Sequence, residues 1–504
     1  MDSEMLRIAI ALLPFAVLIA GFLVFRMDAL KLSVYTALLE VAIVMVLYRL
    51  SPGQVLAAII WGNITVWSGF AVLYTGQIFG HSFRQTGLLR VLLDTVEGVL
   101  PSKEGKAVTL VNVVGGFMGA FNGFATYPIT IPGLVEEGFY PVRAVAGYLV
   151  YFSWSVAFVS LFIAATIASA ASGVPIEDIA RVMGLMTIPL VPIATLGFFR
   201  IMEFSLKERE NQILFGLTTL ANVAAIVLFT QVFNGLYILT LIAAAVFSLG
   251  LLYAYRRLAI RDLDAALDDG RAHPRATMLK AYAPLLVGVV LVVLTKVPSV
   301  AALLDRLQFT VAAWGYAPLT VNVFTSAGFF ILVAALSCYV FAVKRGSNPL
   351  LDLQVATRKG APSLATLFAG SAMVYLMIDT GQISLLGQVL SQWGAMVYAL
   401  LLPGVGFLAG MAFGQGIPAD FLFSRMQVKV APMLGIPLVV LVALAAQVTM
   451  GPANPLKPSL IKFTSTLAGL KGHDGAIFRI VLPWQLVQLA IIVASALLLV
   501  AFWK

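Results

Sequence analysis

Ionisable side chains inside apolar stretches are the first candidates for chemistry in this 504-residue chain. A charged group within an apolar segment costs free energy, so it marks a functional site by default. Asp379, followed by Thr380 and Gln382, could bind a cation or carry a proton, and so could Asp420. The simpler alternatives are an interfacial carboxylate at a helix end for Asp379 and a helix N-cap for Asp420. Glu40 is a further acid at depth, and it could simply pair with a neighbouring helix.

A second set of residues could recognise an anion. Lys457 lies between two prolines, in Pro455-Leu456-Lys457-Pro458-Ser459, and together with Lys462 it could hold a carboxylate by point charges. The alternative is a lysine in a cytoplasmic loop. Uncharged side chains could fix a carboxylate and an α-hydroxyl by hydrogen bonds, or they could cap short helices instead. These uncharged candidates are Asn122, Thr126, Tyr127, Gln415 and Ser459.

Other kinds of chemistry find little support in the sequence. The three histidines, His81, His273 and His473, are scattered and form neither a metal cluster nor a catalytic triad. A Walker-type phosphate loop is missing from the sequence, so ATP-driven pumping is not indicated. The single cysteine, Cys338, lies in an apolar span and most simply packs there. We therefore expect neither an enzyme nor a cofactor. The ions that the acidic residues above could bind are expected to be H⁺ or Na⁺.

Composition indicates the elements that must position these residues. The chain is 61% hydrophobic and only 11% charged, which leaves too little polar surface to coat a soluble globule of this size. Apolar runs of about 20 residues can cross a bilayer as helices, and the sequence contains about a dozen of them. The net charge of +9 comes from basic residues spread over short loops, which favours the positive-inside rule over nucleic-acid binding. We expect a multi-pass protein of the cell (inner or plasma) membrane.

An internal repeat indicates how the spans are organised. Thr75-Gly76-Gln77-Ile78 returns as Thr380-Gly381-Gln382-Ile383, and each copy is expected to end an apolar span. A glycine-interrupted apolar segment follows each copy, near 114–124 and 403–418. Paired interruptions of this kind in two halves are typical of the substrate site of a secondary transporter. Such segments must be buried or line a cavity, as helical hairpins whose N-terminal amides could bind an anion. The alternative for each segment is a helix face of small residues.

Charge distribution predicts the orientation of the two copies. The polar loop at 255–280 carries several basic residues and is placed in the cytoplasm, with the N-terminus outside. The span that ends at Thr75 then runs inward, and the span that ends at Thr380 runs outward, so the halves are inverted. A parallel repeat is the alternative if one short span is miscounted.

We therefore predict an all-α polytopic membrane protein with about 12 transmembrane helices plus two re-entrant helical hairpins in two inverted repeats. The expected units are a first repeat at 1–205 with a hairpin near 108–134, linking helices and a cytoplasmic loop at 206–280, and a second repeat at 281–504 with a hairpin near 396–424.

The sequence resembles the L-lactate permease family. The family pattern Ser-Pro-Gln-Ser, Gly-Leu-x-Gly and Leu-Phe-Arg falls without gaps on Lys457-Pro458-Ser459-Leu460, Gly469-Leu470-Lys471-Gly472 and Ile477-Phe478-Arg479. Two family segments of the interrupted regions are similar to 117–126 and 414–423. The family glutamate in the first of them is replaced by Gly119.

This resemblance implies a proton-coupled symporter for lactate and related 2-hydroxy monocarboxylates such as glycolate. If the family glutamate carries the coupling proton, this chain must use Asp379, Asp420 or a different ion. The lysine at 457 adds a positive charge, which leaves a dicarboxylate or a sulfonate open as the substrate. The alternatives from other functional classes are a non-transporting membrane subunit, a membrane-embedded enzyme and a passive channel. The expected partners are a small organic anion and the lipid bilayer, with a homodimer left open.

Overall fold

The computed structural model describes residues 3–23, 25, 27–259, 273–344, 346–413 and 416–502. Its elements are almost all helical. In the first part they are α1 Ser3–Leu23, α2 Ala29–Val46, α3 Pro52–Thr65, α4 Trp67–Gln85, α5 Leu88–Glu97, α6 Lys103–Thr109, α7 Gly115–Phe121, α8 Gly123–Glu136, α9 Pro141–Phe152, α10 Val159–Ser172, α11 Ile176–Thr187 and α12 Leu190–Ile201. A π-helical turn at Leu110–Val114 joins α6 to α7.

The remaining helices continue the same architecture. They are α13 Arg209–Ile226, α14 Thr240–Ala259, α15 Arg275–Leu294, α16 Pro298–Asp305, α17 Ala327–Val340, α18 Pro349–Asp379, α19 Gln382–Ser391, α20 Ala395–Ala412, α21 Gly416–Leu434, α22 Leu438–Met450, α23 Pro458–Leu467 and α24 Asp474–Phe502. Two three-residue strands, β1 Phe309–Val311 and β2 Leu319–Val321, pair antiparallel between α16 and α17.

Length and composition confirm the predicted fold class. Nine helical segments of the described residues are long and apolar enough to cross a membrane, and counting three bent pairs as one span each gives up to 12. The bent pairs are α3–α4 at 58°, α9–α10 at 61° and α11–α12 at 46°. The protein is therefore an all-α polytopic membrane protein.

Helices α4 and α18, which carry or adjoin the two copies of the repeat, lie side by side and antiparallel. The Tyr74 hydroxyl is 2.9 Å from the Thr357 hydroxyl, and His81, which follows Tyr74 in α4, is 3.3 Å from Asp352, which precedes Thr357 in α18. The first tetrapeptide lies inside α4, which continues to Gln85, so the expectation that it ends a span is wrong. The second copy does lie at a helix end, where Gly381 has φ +75°.

Several basic residues lie around the segment 86–98, on one face of the molecule. Arg256 donates a hydrogen bond to the Gly98 carbonyl (2.7 Å), and the Lys344 amide donates to the Thr86 carbonyl (2.9 Å). His273 contacts Asp94 at 2.8 Å on the same side. By the positive-inside rule this basic face is the cytoplasmic one. Residues 260–272, half of the predicted polar loop at 255–280, lie outside the described residues.

Residues 103–136 fold back on themselves as a helical hairpin, which we call hairpin 1. Lys106 Nζ and Glu137 Oε2 are 3.4 Å apart at its open end, which lies on the basic face. The chain reverses at Asn122, whose extended backbone (φ −156°, ψ 107°) separates α7 from α8. Close approach of the two arms requires small residues, since a Cβ on Gly133 would lie 2.7 Å from Leu110.

Helices α20 and α21 form hairpin 2. The Tyr398 hydroxyl donates to Gln427 Oε1 across the two arms at 2.7 Å. Gly414 and Gln415, which separate α20 from α21 in the sequence, lie outside the described residues. Because α18 starts at the basic face and runs away from it, hairpin 2 enters from the opposite face to hairpin 1. The two hairpins are thus inverted relative to each other, while the predicted unit boundaries at 205 and 280 stay predictions.

Candidate functional site

Each hairpin is followed by a span that breaks in its middle. The α9–α10 span breaks after Phe152, and the chain then passes through three left-handed residues, Ser160, Leu161 and Phe162. The α22–α23 span breaks after Met450, and α23 begins beyond Lys457. Left-handed backbone at residues other than glycine is strained, and such strain is concentrated at functional sites.

The two tips and the two breaks meet at a small cavity of about 50 Å³. Gly123 of hairpin 1 and Gly416 of hairpin 2 both line it, as does Ser160 from the first break. Asn454 and Lys457 come from the second break. Helices α8, α10, α21 and α23 therefore all begin around one point, which makes the surroundings of this cavity favourable for negative charge.

A larger cavity of about 610 Å³ leads from the small one to the basic face. The two cavities share Phe124, Asn454 and Lys457 in their linings. Among the described lining residues, the basic side chains are His81, Arg84, Lys359 and Lys457, and Asp28 is the acidic one. An organic anion entering from this side would meet mostly positive charge. His81, Arg84, Lys359 and Asn454 were not singled out from the sequence as site residues, because nothing local shows that they share a cavity.

Lys457 is the charged group at the junction of both cavities. Its side chain is only 4% exposed, and no acidic residue in the described part of the chain pairs with it. A buried ammonium without a counter-charge is costly, so this site favours an anionic ligand. The expected partner lysine, Lys462, is exposed on α23 and is not among the lining residues. The alternative of a loop lysine at 457 is therefore wrong.

Asn122 caps hairpin 1 at its tip. Its Oδ1 accepts from the Phe124 amide (2.9 Å), its carbonyl accepts from the Ala125 amide (3.0 Å), and Ser160 Oγ lies 3.4 Å from the Gly123 amide. The first amides of α8 are thus already bound within the protein, which corrects the expectation that they bind the anion directly. The Asn122 side chain still lines the larger cavity, with its amide nitrogen available as a donor.

The remaining candidate substrate-binding residues differ in which cavity, if any, they line. Tyr127 lines the small cavity, and its hydroxyl is 3.4 Å from Asn454 Nδ2. Ser459 lines the larger cavity. Thr126 is fully buried, donates to the Gly123 carbonyl (2.9 Å), and is not among the described lining residues of either cavity. The fifth candidate, Gln415, lies outside the described residues.

The repeated Thr-Gly-Gln segment is tied to this site in its first copy. A Cβ on Gly76 would lie 3.1 Å from Asn122 Cγ, so α4 needs a residue without a side chain where it packs against the tip of hairpin 1. Gln77, beside it, lines the larger cavity.

Known proteins resemble this chain over nearly its whole length. The family model described as L-lactate permease matches residues 7–503. The chain belongs to the L-lactate permease family. L-lactate permease of Escherichia coli (strain K12) is 22% identical over 94% of this chain and 92% of that protein. L-lactate permease of Salmonella typhimurium (strain LT2) is also 22% identical, over 92% of each. The crystal structure of the Alcanivorax borkumensis YdaH transporter, at 17% identity, superposes with a TM-score of 0.48 over 95% of this chain and 99% of that one.

Family membership and the apolar helices together show that this protein is a multi-pass transport protein of the cell membrane. In this protein the position of the family glutamate is occupied by Gly119, which is closely packed. A Cβ on Gly119 would lie 3.2 Å from the Phe152 ring and 3.3 Å from Thr126, so a larger side chain would require these neighbours to shift by a few tenths of an ångström. Because residue 119 is a glycine, a coupling carboxylate would have to come from another position.

Asp420 is the acid closest in sequence to the tip of hairpin 2. It is fully buried in α21, where its Oδ1 accepts from the Ser424 hydroxyl at 3.0 Å. Its Oδ2 has no hydrogen-bond partner among the described residues. Since α21 begins at Gly416, Asp420 is inside the helix and the N-cap alternative is wrong. A buried acid with a free oxygen is suited to hold a proton.

Thr380 and Gln382 are hydrogen-bonded to each other, but Asp379 does not join them in one site. Asp379 is exposed at the end of α18 and accepts from the Tyr316 hydroxyl at 2.9 Å, which fits the helix-end alternative. Burial and this hydrogen bond raise the pKa of Tyr316, which lies outside the spans. Gln382 is fully buried, and its Nε2 donates to Thr380 Oγ1 (2.9 Å) and to Glu40 Oε1 (2.5 Å).

Proposed function

We propose that this protein is a secondary active transporter that carries a small organic anion together with H⁺. The cargo that this chemistry favours is L-lactate or a related 2-hydroxy monocarboxylate such as glycolate, which agrees with the names of the relatives. The observation that carries the proposal is Lys457, buried without an acidic partner in the described chain where two hairpin tips and two helix breaks meet. A single positive charge there matches a single carboxylate.

In the proposed binding mode, the anion is held by one charged side chain and by several hydrogen bonds. The carboxylate would rest on the Lys457 ammonium, in the field of the helix ends around the small cavity. Asn122 Nδ2, Asn454 Nδ2 and the Tyr127 hydroxyl would then hydrogen-bond the α-hydroxyl or a carboxylate oxygen. Ser459 stays a candidate for the outer part of the site. Gln415, outside the described residues, stays a candidate from the sequence alone. Thr126 would act by holding the hairpin, because its hydroxyl is already used there.

Coupling is proposed to run through Asp420. A proton on its unpartnered oxygen would remove the cost of a buried charge beside the tip of hairpin 2. Na⁺ is the second candidate, but Asp420 has only the Ser424 hydroxyl as a described neighbouring ligand, which is a poor oxygen shell for a metal ion. Alternating access would follow from the inverted hairpins, since each half can take the conformation of the other.

A dicarboxylate or sulfonate is a second candidate cargo, and one observation favours it. Arg84 and Lys359 line the larger cavity on the way to Lys457, so a second negative group would also find a cation. These two residues could equally serve to concentrate any anion at the entrance.

The test is counterflow of labelled L-lactate in proteoliposomes that contain the purified full-length protein. The competitors are glycolate, a dicarboxylate and a sulfonate, and each measurement is repeated with a pH gradient and with a Na⁺ gradient. Lactate exchange that a proton gradient drives uphill would support the proposal. Exchange of the dicarboxylate or sulfonate alone would move the cargo to the second candidate, and Na⁺-driven uptake would replace the coupling ion. Folded protein with no counterflow at all would refute transport of these anions.

A further inference from the structure

Glu40 is a buried acid that the proposed transport cycle does not use. It lies in α2 and is fully buried, as is Gln382 at the start of α19. Gln382 Nε2 donates to Glu40 Oε1 at 2.5 Å, so the pair joins two segments that are 342 residues apart in sequence. Neither residue is among the described lining residues of the two cavities. The pair is therefore a separate polar site in the apolar interior.

If Glu40 is ionised, the pair has more buried hydrogen-bond acceptors than donors. Both protons of Gln382 Nε2 are used, one on Glu40 Oε1 and one on Thr380 Oγ1 at 2.9 Å. Two buried acceptors, Glu40 Oε2 and Gln382 Oε1, have no partner among the described residues. A carboxylate would leave both oxygens without a donor and would bury a full charge, and each of these is costly.

Basic groups that could compensate such a charge are missing from the described surroundings of Glu40. No described ion pair involves Glu40. Tyr48 at the end of α2 interacts with it electrostatically, and Arg7 of α1 acts on Tyr48. From α18, Asp379 is turned to Tyr316 at the surface, and it is an acid itself. The groups around Glu40 therefore do not stabilise its ionised form.

We infer that Glu40 binds a proton and that the protonated acid forms a paired contact with the Gln382 amide, which fastens α2 to the turn between α18 and α19. Protonation would make Oε2 a donor, and Gln382 Oε1 is the buried acceptor of the pair that lacks a partner among the described residues. Rotating the Gln382 amide by 180° would bring two oxygens to 2.5 Å, which again requires a shared proton. Gly381, with φ +75°, supplies the turn that directs Gln382 towards α2.

The role of this site is structural and independent of the transported anion. The long helix α18 packs against α4, which contacts hairpin 1, so a contact that holds the outer end of α18 also holds the frame of the site. The proton on Glu40 thus stabilises the fold, and it is distinct from the coupling proton proposed for Asp420.

The experiment compares infrared spectra and unfolding of the purified full-length protein and four variants at neutral pH. Glu40→Gln should lose one carbonyl stretching band of a protonated carboxylic acid. Asp420→Asn should keep that band, and so should Glu136→Gln, which changes an exposed acid. Because glutamine at 40 can form the same two hydrogen bonds without a proton, its unfolding constant should stay within about twofold of that of the unaltered protein. Glu40→Ala, which removes both bonds, should raise that constant about 10- to 100-fold.

Two results would overturn the inference. One is an unchanged carboxylic acid band in Glu40→Gln, which would mean that Glu40 is ionised. The other is stabilisation of the unaltered protein by NaCl but not by choline chloride, lost in Glu40→Gln, which would assign the two free oxygens to Na⁺ instead. Neither readout requires transport, so a failure of the proposed lactate transport would leave this test intact.

Discussion

Replacing Lys457 by methionine tests the central feature of the proposed site, because it keeps an unbranched side chain of similar length and removes the charge. A carboxylate in contact with the ammonium, at about 4 Å, gains about 1 kcal/mol in a water-like medium and about 4 kcal/mol at an effective dielectric constant of about 20. Lys457 lies between these limits, since it is nearly buried but lines a cavity that opens to solvent. An intermediate value of about 2 kcal/mol corresponds to a loss of affinity of about 30-fold.

The assay is the apparent affinity for L-lactate in proteoliposome counterflow, measured for Lys457→Met and for Lys462→Met in parallel. Lys462 lies on α23, the helix that begins just after Lys457, and is exposed, so its variant should keep the affinity of the unaltered protein within about twofold. Equal affinity in Lys457→Met would refute the assignment of the carboxylate to this lysine. Equal losses in both variants would point to a general effect of positive charge on α23 and would also contradict the reasoning.

Three further predictions concern coupling, packing and backbone strain. Asp420→Asn, which keeps a neutral side chain at 420, should preserve lactate exchange but abolish uphill uptake driven by a pH gradient. Gly76→Val should destabilise the protein by about 1–3 kcal/mol in thermal unfolding, because its side chain meets Asn122 at the tip of hairpin 1, whereas Gly216→Val faces open space and should cost less. Arg49→Gly should raise stability by about 1 kcal/mol since Arg49 has φ +57°, and Arg49→Ala should give no such gain.

The sequence was sufficient to predict the helices and both hairpins, because apolar length and glycine interruptions encode them locally. It did not show which polar groups face the cavities. Thr126 and Tyr127 are neighbours in sequence, yet one bonds its own helix turn and the other lines the small cavity. That difference depends on how α8 is rotated against α9, which is a property of tertiary packing.

Contacts between residues that are far apart in the chain could not be predicted from the sequence either. Glu40 and Gln382 each looked like a candidate for separate reasons, and only the packing of α2 against the turn after α18 brings them together. The tetrapeptide repeat predicted similar contexts for both copies, but Gly76 serves close helix packing and Gly381 serves a left-handed turn. Glycine permits both uses, so identical letters did not imply identical structure.

The hydrogen bonds at the tip of hairpin 1 explain why this site requires a charged side chain. Free amides at the start of α8 would have attracted a carboxylate without any lysine. In this protein Asn122 and Ser160 already occupy those amides, so the helix end contributes a field but few open donors. Full charge must then come from a side chain at the same point, and Lys457 supplies it from the break opposite. Asn122→Ala would release one amide and remove one donor, so it should weaken lactate binding less than Lys457→Met does, and a larger loss in Asn122→Ala would reverse this ranking of the two groups.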